Sequence, residues 1–527
     1  MMTVRKKLLA LAVSAACTGP AWAADDDRAR VEMLHETTLN LIQLLVEQGV
    51  LKQDAADAML AKAKQQAAEK VAQQQAAETQ AEKGVVRVTY VPETVKREIR
   101  EQVRQEVVAQ AKLERWGDVN AVPEWLDRLK WEGDIRVRYQ GDFFAGSNAP
   151  ESAFQAIGQD IDNTLEDRHR ERLRLRLGLN ANVGPGIDAG VRLTTGNTSD
   201  PVSTNQTLGN TGNKYTVVLD RAFLKLRPID DLTLWGGRLP NPFFSTDLVW
   251  DDDLNFEGAA ASYAPGALDP QRIVKPFFTA GVFPLQEIEE NASTQAKDKW
   301  LFGAQAGVEW VPSTRMRLKV GAAYYQYENI AATLNPVPSA GLLGDEISPQ
   351  SRQKGNSLFV FDSDANNDAT TGDNLFGLAS DFRVGALSVV ADFADFYPIH
   401  VIASFDWAHN FGFDQGDILT RTGQSLDEEV DGYQARLTIG HPKFTYLEDN
   451  EWQAFVGYRY LERDAVLDAF TDSDFHLGGT NHKGYFIGGS YALMKNTWLT
   501  AKWMSSDEIS GLPLSIDVFQ LDLNAKF

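Results

Sequence analysis

The stretch from Arg172 to Leu193 alternates strictly between apolar and polar residues, and this alternation constrains the fold more than any other feature. Up to Val183 one parity is wholly apolar, and the other carries arginine, glycine and asparagine. A glycine-proline-glycine turn follows, and the alternation resumes at Ile187. Because successive side chains of a strand point to opposite faces, this segment predicts a hairpin with one apolar and one strongly basic face.

Two classes of β protein carry such strands. A soluble sandwich buries the apolar face, whereas a barrel in lipid turns that face outward and keeps the polar face inside. The pattern recurs from residue 133 to the end, in segments such as 300–310 and 316–324, and short turns alternate with long polar loops. The short turns lie at 228–231, 264–270, 312–314 and 494–496. This layout is typical of outer-membrane barrels.

The sequence therefore predicts an all-β transmembrane barrel over residues 133–527, with about sixteen antiparallel strands and fourteen or eighteen as alternatives. A barrel of that size encloses a water-filled lumen rather than a packed interior. The final segment, 519–527, alternates as well and ends on Phe527. A closing strand of this kind resembles the C-terminal signal read by the barrel-assembly machinery.

The N-terminus predicts export. Arg5, Lys6 and Lys7 precede the apolar run 8–16, and Ala21-Trp22-Ala23 forms a small-residue cleavage site, so residues 1–23 are interpreted as a signal peptide. Cys17 is the only cysteine, and Ser14 stands where a lipoprotein signal usually has leucine, which argues against lipidation. Cleavage after residue 23 would leave a mature chain without disulfides.

Charge and hydropathy restrict the partners and the kind of membrane span that the chain can have. The formal net charge is −22, and removal of the signal peptide makes it more negative, which argues against a nucleic-acid partner. The chain has no run of eighteen apolar residues, so a membrane span would have to consist of strands. We expect outer-membrane lipid around the barrel and small hydrophilic solutes within it.

Residues 24–132 differ from the rest of the chain. Val31, Leu34, Leu41 and Leu45 recur at three- and four-residue spacings, and the run 54–83 is rich in alanine, glutamine, lysine and glutamate. A helix with so few large apolar residues is marginal by itself. We predict a periplasmic helical arm and linker that forms a coiled coil between protomers of a homotrimer, and a solvated spacer is an equally compatible interpretation.

Four segments resemble the bacterial putative-porin family. They are GRLPNPF at 237–243, LVWDDDLNFEG at 248–258, YRYLERDAVL at 458–467 and DSDFHLGGTN at 472–481. The resemblance extends over the whole mature chain, including the helical part. It implies a Gram-negative outer-membrane barrel that passes small solutes or ions, as a trimer, and it implies neither a particular solute nor catalytic residues.

Basic residues follow the polar parity of the first strands. The candidate pore-lining residues are Arg136, Arg138, Arg172, Arg174, Arg176, Arg192, Arg221 and Lys225. Such a basic wall would favour anions or orient solutes at a constriction, because rings of charge set ion preference in a pore. Alternatively, the arginines pair with acidic loop residues, namely Asp251, Asp252, Asp253 and Glu257. The loops 197–213 and 328–373 are the candidates for folding into the pore.

One acidic loop has the spacing of calcium ligands. Oxygen-bearing residues alternate and a further one stands at the twelfth position, and the candidate ligands are Asp362, Asp364, Asn366, Asp368 and Asp373. Asn367 occupies the position at which calcium loops need glycine, and no helices are predicted to flank it. A solvated acidic loop is therefore the favoured interpretation.

Two other functions compete with a porin. An enzyme is disfavoured because the chain lacks G-x-S-x-G, H-E-x-x-H and a glycine-rich phosphate loop, and no cofactor is predicted. A structural tether is the main alternative, in which the barrel anchors the protein and the helical arm contacts peptidoglycan.

Overall fold

The computed structural model describes residue 126 and residues 128–289, 297–334, 352–362, 374–442, 448 and 450–527. The predicted signal peptide and nearly all of the predicted arm, 24–132, lie outside the described residues. The described residues belong to one compact unit, which spans Asn120–Phe527.

Sixteen long antiparallel strands form one closed sheet, which confirms the predicted barrel. The wall strands are β1 (Leu129–Phe144), β2 (Arg168–Gly184), β3 (Ile187–Thr195), β5 (Val217–Ile229), β6 (Leu232–Pro240), β7 (Asn255–Tyr263), β8 (Val274–Gln286), β9 (Lys299–Ser313), β10 (Met316–Glu328), β13 (Arg383–Phe396), β14 (Ile399–Asn410), β15 (Asp431–Gly440), β16 (Trp452–Leu461), β17 (His482–Met494), β18 (Thr497–Glu508) and β19 (Ser515–Lys526).

Three short strands lie in the connections between wall strands. The two-residue β4 (Gln206–Thr207) pairs with β2, and β11 (Leu358–Asp362) pairs with β12 (Leu375–Leu378) in a separate two-stranded sheet. The α-helices in the described part of the chain are α1 (Glu151–Gln155) and α2 (Gln415–Thr422). Neither described α-helix has the length or the apolar content that a membrane crossing requires.

The barrel closes where its last strand meets its first. β19 pairs with β1 in an unbroken antiparallel register, from Asp134 opposite Lys526 to Phe144 opposite Ile516. Closure satisfies the backbone hydrogen bonds of both terminal strands and leaves no open edge. The predicted closing strand at the C-terminus is therefore confirmed.

The apolar side chains of the wall point outward. Val137 is 44% exposed, whereas its neighbour Arg138 is 3% exposed, and Val191 and Arg192 show the same contrast at 45% and 9%. A soluble sandwich would have the opposite distribution. The predicted choice between the two classes is thus decided in favour of an apolar exterior and a polar interior.

Short turns lie at one end of the barrel and long loops at the other. The predicted hairpin is confirmed, since β2 and β3 pair on either side of the turn at 185–186, with a register shift beside it. β17 and β18 are joined equally tightly at 495–496. The long connections, such as 145–167, 241–254 and 462–481, lie at the opposite end, which is called the loop end below.

An apolar core lies inside part of the barrel. Trp250, from the loop between β6 and β7, packs with ring centroids 4.9 Å from Tyr325 and 5.0 Å from Phe256. Leu467, from the loop between β16 and β17, belongs to the same buried cluster. Loops can join such a core only by folding back into the barrel. The core therefore fills this part of the lumen, and solvent can occupy only the rest.

Candidate functional site in the barrel lumen

Loops from separate sectors of the wall meet inside the barrel. The loop 241–254 contacts the loop 462–481 through the Asp251 amide, which donates to the Phe470 carbonyl at 2.9 Å, and through the Ser473 amide, which donates to the Asp251 carboxylate at 2.9 Å. The Ser473 hydroxyl donates to the Val202 carbonyl at 3.1 Å, which joins the loop between β3 and β5. These three connections form an inner layer of loops.

The predicted arginines lie on the inner face of β1 and β2. The register places Arg136 directly opposite Arg174, and Arg138 directly opposite Arg172. Like charges in such positions repel each other. The wall therefore needs anionic partners, and the inner loops supply several of them.

Arg174 and Arg176 are anchored to two carboxylates. Asp134 accepts from Arg174 Nη2 at 2.9 Å and from Arg176 Nε at 2.8 Å. Asp253, from the inner loop, accepts from Arg176 Nη1 at 2.9 Å. The Thr204 hydroxyl donates to the other oxygen of Asp253 at 2.8 Å. The predicted pairing of wall arginines with the acidic loop is thus present for Asp253.

Arg138 is neutralised by two aspartates. Its Nε donates to Asp522 Oδ1 at 2.7 Å, and its Nη1 donates to Asp474 Oδ1 at 2.7 Å. Asp522 belongs to β19, and Asp474 to the loop 462–481. Neither aspartate was among the predicted partners, because both are distant in sequence from Arg138.

The remaining predicted residues have different surroundings. Arg192 forms an ion pair with Asp220, and Arg221 donates from Nε to the Asn255 amide oxygen at 2.5 Å. A register shift between β3 and β5 at this point brings Asp220 and Arg221 to the interior together. Lys225 lies nearer the short-turn end, 5.6 Å from the centre of the Trp235 ring.

Arg136 and Arg172 form no ion pair within the described part of the chain. Arg136 donates to the Asn205 amide oxygen. Arg172 donates to Gln140 Oε1 at 3.2 Å and to the Ser203 hydroxyl at 3.4 Å. All three acceptors are neutral, so neither guanidinium group has a hydrogen-bonded counter-ion among the described residues.

The acidic loop faces this wall from the inner layer. Burial alone would raise the pKa of Asp253, but Arg174 and Arg176 lower it to about 2. Burial, and after it the carboxylates of Asp247 and Asp253, raise the pKa of Asp252 to about 6. The Asp252 side chain remains in contact with solvent, although protein surrounds it on most sides. Asp253 is thus an ionised carboxylate beside the wall arginines, whereas Asp252 is a titratable carboxylate whose nearest cationic group is Arg436.

Arg459, on β16, links the inner loops to a second part of the wall. This side chain is 1% exposed, and it forms ion pairs with Asp472 at 3.1 Å and with Asp247 at 3.2 Å. Its Nε donates to Gln434 Oε1 at 2.6 Å. Arg459 was missed as a site residue, although it lies within the segment 458–467 that carries the family resemblance, because its partners lie in other loops.

A second network fastens residues 352–357 to the loop 462–481. Lys354 Nζ donates to the carbonyls of His476 and Gly478, at 2.5 and 2.8 Å. The Asn356 amide donates to the carbonyls of Arg463 and Val466, at 2.7 and 2.9 Å. This part of the loop 328–373 does fold inward, as predicted, and the segment 197–213 also reaches the interior through Val202.

Two cavities lie on either side of the inner loops. The loop-end cavity has a volume of about 500 Å³ and is lined by Arg168, Arg170 and Arg172 of β2. The turn-end cavity has a volume of about 450 Å³ and is lined by Phe244 and Lys319 among others. The inner layer of loops therefore separates two spaces that open toward opposite ends of the barrel.

The proposed calcium loop can be located only at its first residue. Asp362 is buried at the end of β11. The other candidate ligands, Asp364, Asn366, Asp368 and Asp373, lie outside the described residues. Within the described residues, no group of three histidine, cysteine or acidic side chains is arranged to hold a metal ion.

The family model for putative porins matches residues 35–527. The chain belongs to the putative porin family. The match extends over nearly the whole sequence and includes all four segments at 237–243, 248–258, 458–467 and 472–481. In this chain those segments include much of both inner loops, with Asp253, Arg459 and Asp474 among their residues. No curated protein matches the chain in sequence.

Several solved porin structures are similar to the chain in fold. Salmonella typhi OmpF, in complex with daunomycin, is 10% identical, with 76% of this chain and 97% of that chain covered and a TM-score of 0.41. Pseudomonas putida OprB, at high pH, is 11% identical, with 77% and 96% covered and a TM-score of 0.42. The outer membrane channel DcaP of Acinetobacter baumannii is 12% identical, with 76% and 97% covered and a TM-score of 0.38.

Proposed function

We propose that the protein is an outer-membrane porin through which small hydrophilic solutes or ions diffuse passively. One observation supports this most directly: a closed barrel contains an inner layer of loops whose acidic residues face a wall of arginines, with a cavity on either side. Solvated charges lining a restricted path are what a diffusion channel needs, because they replace water around a passing solute.

The constriction in this proposal lies where the loop 241–254 approaches β1 and β2. The apolar core around Trp250 fills the lumen on the other side, so solutes pass along the arginine side. Arg136, Arg172, Arg174 and Arg176 then line the path. Arg138, being neutralised by two aspartates, mainly holds the loops in position.

The proposal includes the cellular setting. The exposed apolar side chains of the wall contact outer-membrane lipid, the short turns face the periplasm, and the helical arm at 24–132 supports a homotrimer there. The barrel-assembly machinery inserts the chain. The putative porin family assignment and the outward-facing apolar parity support this setting.

Liposome swelling tests solute diffusion. Purified protein is reconstituted into liposomes, which are diluted into isotonic solutions of sugars of increasing size. We expect swelling that is fast for the smallest sugar and declines with size, as for diffusion through a hydrated path. Protein-free liposomes serve as the control. Swelling no faster than in that control, from protein shown to be folded, would contradict a porin.

A further inference from the structure

The loop-end cavity presents an unusual row of cationic groups. Arg168, Arg170 and Arg172 follow one another on the inner parity of β2, and Arg352 and Lys354 reach the same cavity from the loop after β10. The Lys354 ammonium group already donates hydrogen bonds to two backbone carbonyls. The volume of about 500 Å³ is within the range of pockets that bind small organic molecules.

Arg172 is the group in this cavity whose charge most needs a partner. Arg170 is paired with Asp142 at 3.0 Å. Arg172, by contrast, contacts only the neutral Gln140 and Ser203, at 3.2 and 3.4 Å, and its buried Nε has no acceptor in the described part of the chain. A partly desolvated guanidinium without a counter-ion is unfavourable, so an anion from solution would be stabilised beside it.

Arg136 repeats this situation farther from the loop end. It contacts the neutral Asn205, and its Nε also lacks an acceptor among the described residues. Arg138, directly opposite Arg172 in the register of β1 and β2, is already neutralised by two aspartates. Uncompensated positive charge is therefore present at two successive levels along the same wall.

Of the acidic residues that line the loop-end cavity, Asp142 is buried and paired with Arg170, and the others lie toward solvent. Asp160, Asp162 and Asp200 are exposed, whereas Arg170 and Arg172 are half-buried. Exposed carboxylates are screened by water and salt far more than partly buried charges. The inner part of the cavity is thus its positive part.

We propose that the loop-end cavity is a binding site for small oxyanions, with Arg172 as its main contact and Arg136 as the next contact along the path. This inference rests on the proposed porin function and names a solute class for it. Carboxylates and phosphates share the chemistry, since a guanidinium donates paired hydrogen bonds to either.

The test uses the purified full-length protein in a planar bilayer. Succinate or inorganic phosphate is added to potassium chloride, and single-channel current is recorded for the wild type, Arg172→Gln and Arg168→Gln. Arg436→Gln is the matched control, because Arg436 also lies on the inner parity, has no ion pair among the described residues and belongs to another strand, β15. Isothermal titration calorimetry in detergent measures binding of the same anions without requiring conduction.

We expect the anion to reduce the wild-type current, with a half-maximal concentration that rises about tenfold in Arg172→Gln and stays unchanged in Arg436→Gln. The anion that binds more tightly shows whether the site prefers carboxylates or phosphates. Equal half-maximal concentrations in wild type and Arg172→Gln, or no binding of either anion by calorimetry, would overturn the site. Absent conduction with calorimetric binding intact would instead contradict the porin function alone.

Discussion

Arg138 and Asp522 are joined by two hydrogen bonds across the seam at which the last strand of the barrel meets the first. Arg138 Nε lies 2.7 Å from Asp522 Oδ1, and Nη2 lies 2.9 Å from Oδ2. The two residues are direct partners in the β1–β19 register. The same guanidinium holds Asp474 of an inner loop, so one side chain connects closure of the barrel to the position of that loop.

Replacing Arg138 should therefore destabilise the barrel strongly. Arg138→Met leaves two partly buried carboxylates without their cation, and we expect a loss of about 3–5 kcal/mol in the free energy of unfolding. Urea unfolding in detergent micelles or lipid vesicles measures it. The control is Arg227→Met, since Arg227 pairs with Asp188 near the short-turn end and is 46% exposed. That exposed pair should contribute about 0–1 kcal/mol. Equal losses in both variants would contradict this account.

Asp253 should fix the inner loop in a pH-dependent way. Asp253→Asn removes the ion pair with Arg176, and we expect the free energy of unfolding to fall by about 1.5–3 kcal/mol at neutral pH. The pKa of Asp253 is lowered to about 2, so its stabilisation is fully present above about pH 4 and is lost as pH falls through 2. The difference between wild type and Asp253→Asn should accordingly shrink between pH 4 and pH 2. A difference that is constant over this range would show that the charge is not involved.

Asp252 should tune ion selectivity near pH 6. Its pKa is raised to about 6, so the side chain is largely neutral at pH 5 and largely ionised at pH 7. We expect the reversal potential in a salt gradient to shift toward cation preference over this interval. Buried Asp464 and Asp468 titrate in a similar range, with pKa values raised to about 6 and about 7, mainly by burial. The decisive quantity is therefore the part of the shift that disappears in Asp252→Asn, and an unchanged shift would refute the role of Asp252.

Lys354 should hold two loops together. Lys354→Met leaves the buried carbonyls of His476 and Gly478 without their donor, which costs about 1–3 kcal/mol for each unsatisfied group. We expect faster amide hydrogen exchange in the loop 462–481, with the wall strands unchanged. Lys495→Met, in the exposed turn between β17 and β18, is the control and should exchange like the wild type. Unaltered exchange in Lys354→Met would contradict the proposed fastening.

The wall of the barrel could be predicted because its signal is local. Alternation in a segment such as 172–183 already assigns each side chain to one face, and the recurrence of the pattern distinguishes a barrel from a sandwich. The alternation was enough to assign all eight basic candidates to the inner face. It could not predict the register shift near Arg221, because a bulge becomes visible only when the two strands are paired.

The inner loops could not be predicted in the same way. The segments 197–213 and 328–373 were chosen for length and polarity, and parts of both reach the interior, but the loops 241–254 and 462–481 carry most of the contacts. Their direction depends on tertiary partners such as Arg138 for Asp474 and Gln434 for Asp247. Those partners lie 336 and 187 residues away in the sequence, and nothing in the local sequence identifies them.

Single-channel recording of the purified protein in a planar bilayer tests the central claim most directly. The account predicts steady ohmic steps in potassium chloride, and steps that occur in threes would support the proposed trimer. The sign of the reversal potential in a salt gradient would then show whether the path prefers anions, as Arg136 and Arg172 would favour, or cations, as the carboxylates would favour. Protein that is demonstrably folded and inserted, yet passes no current, would show that the inner loops close the barrel and would contradict the porin function.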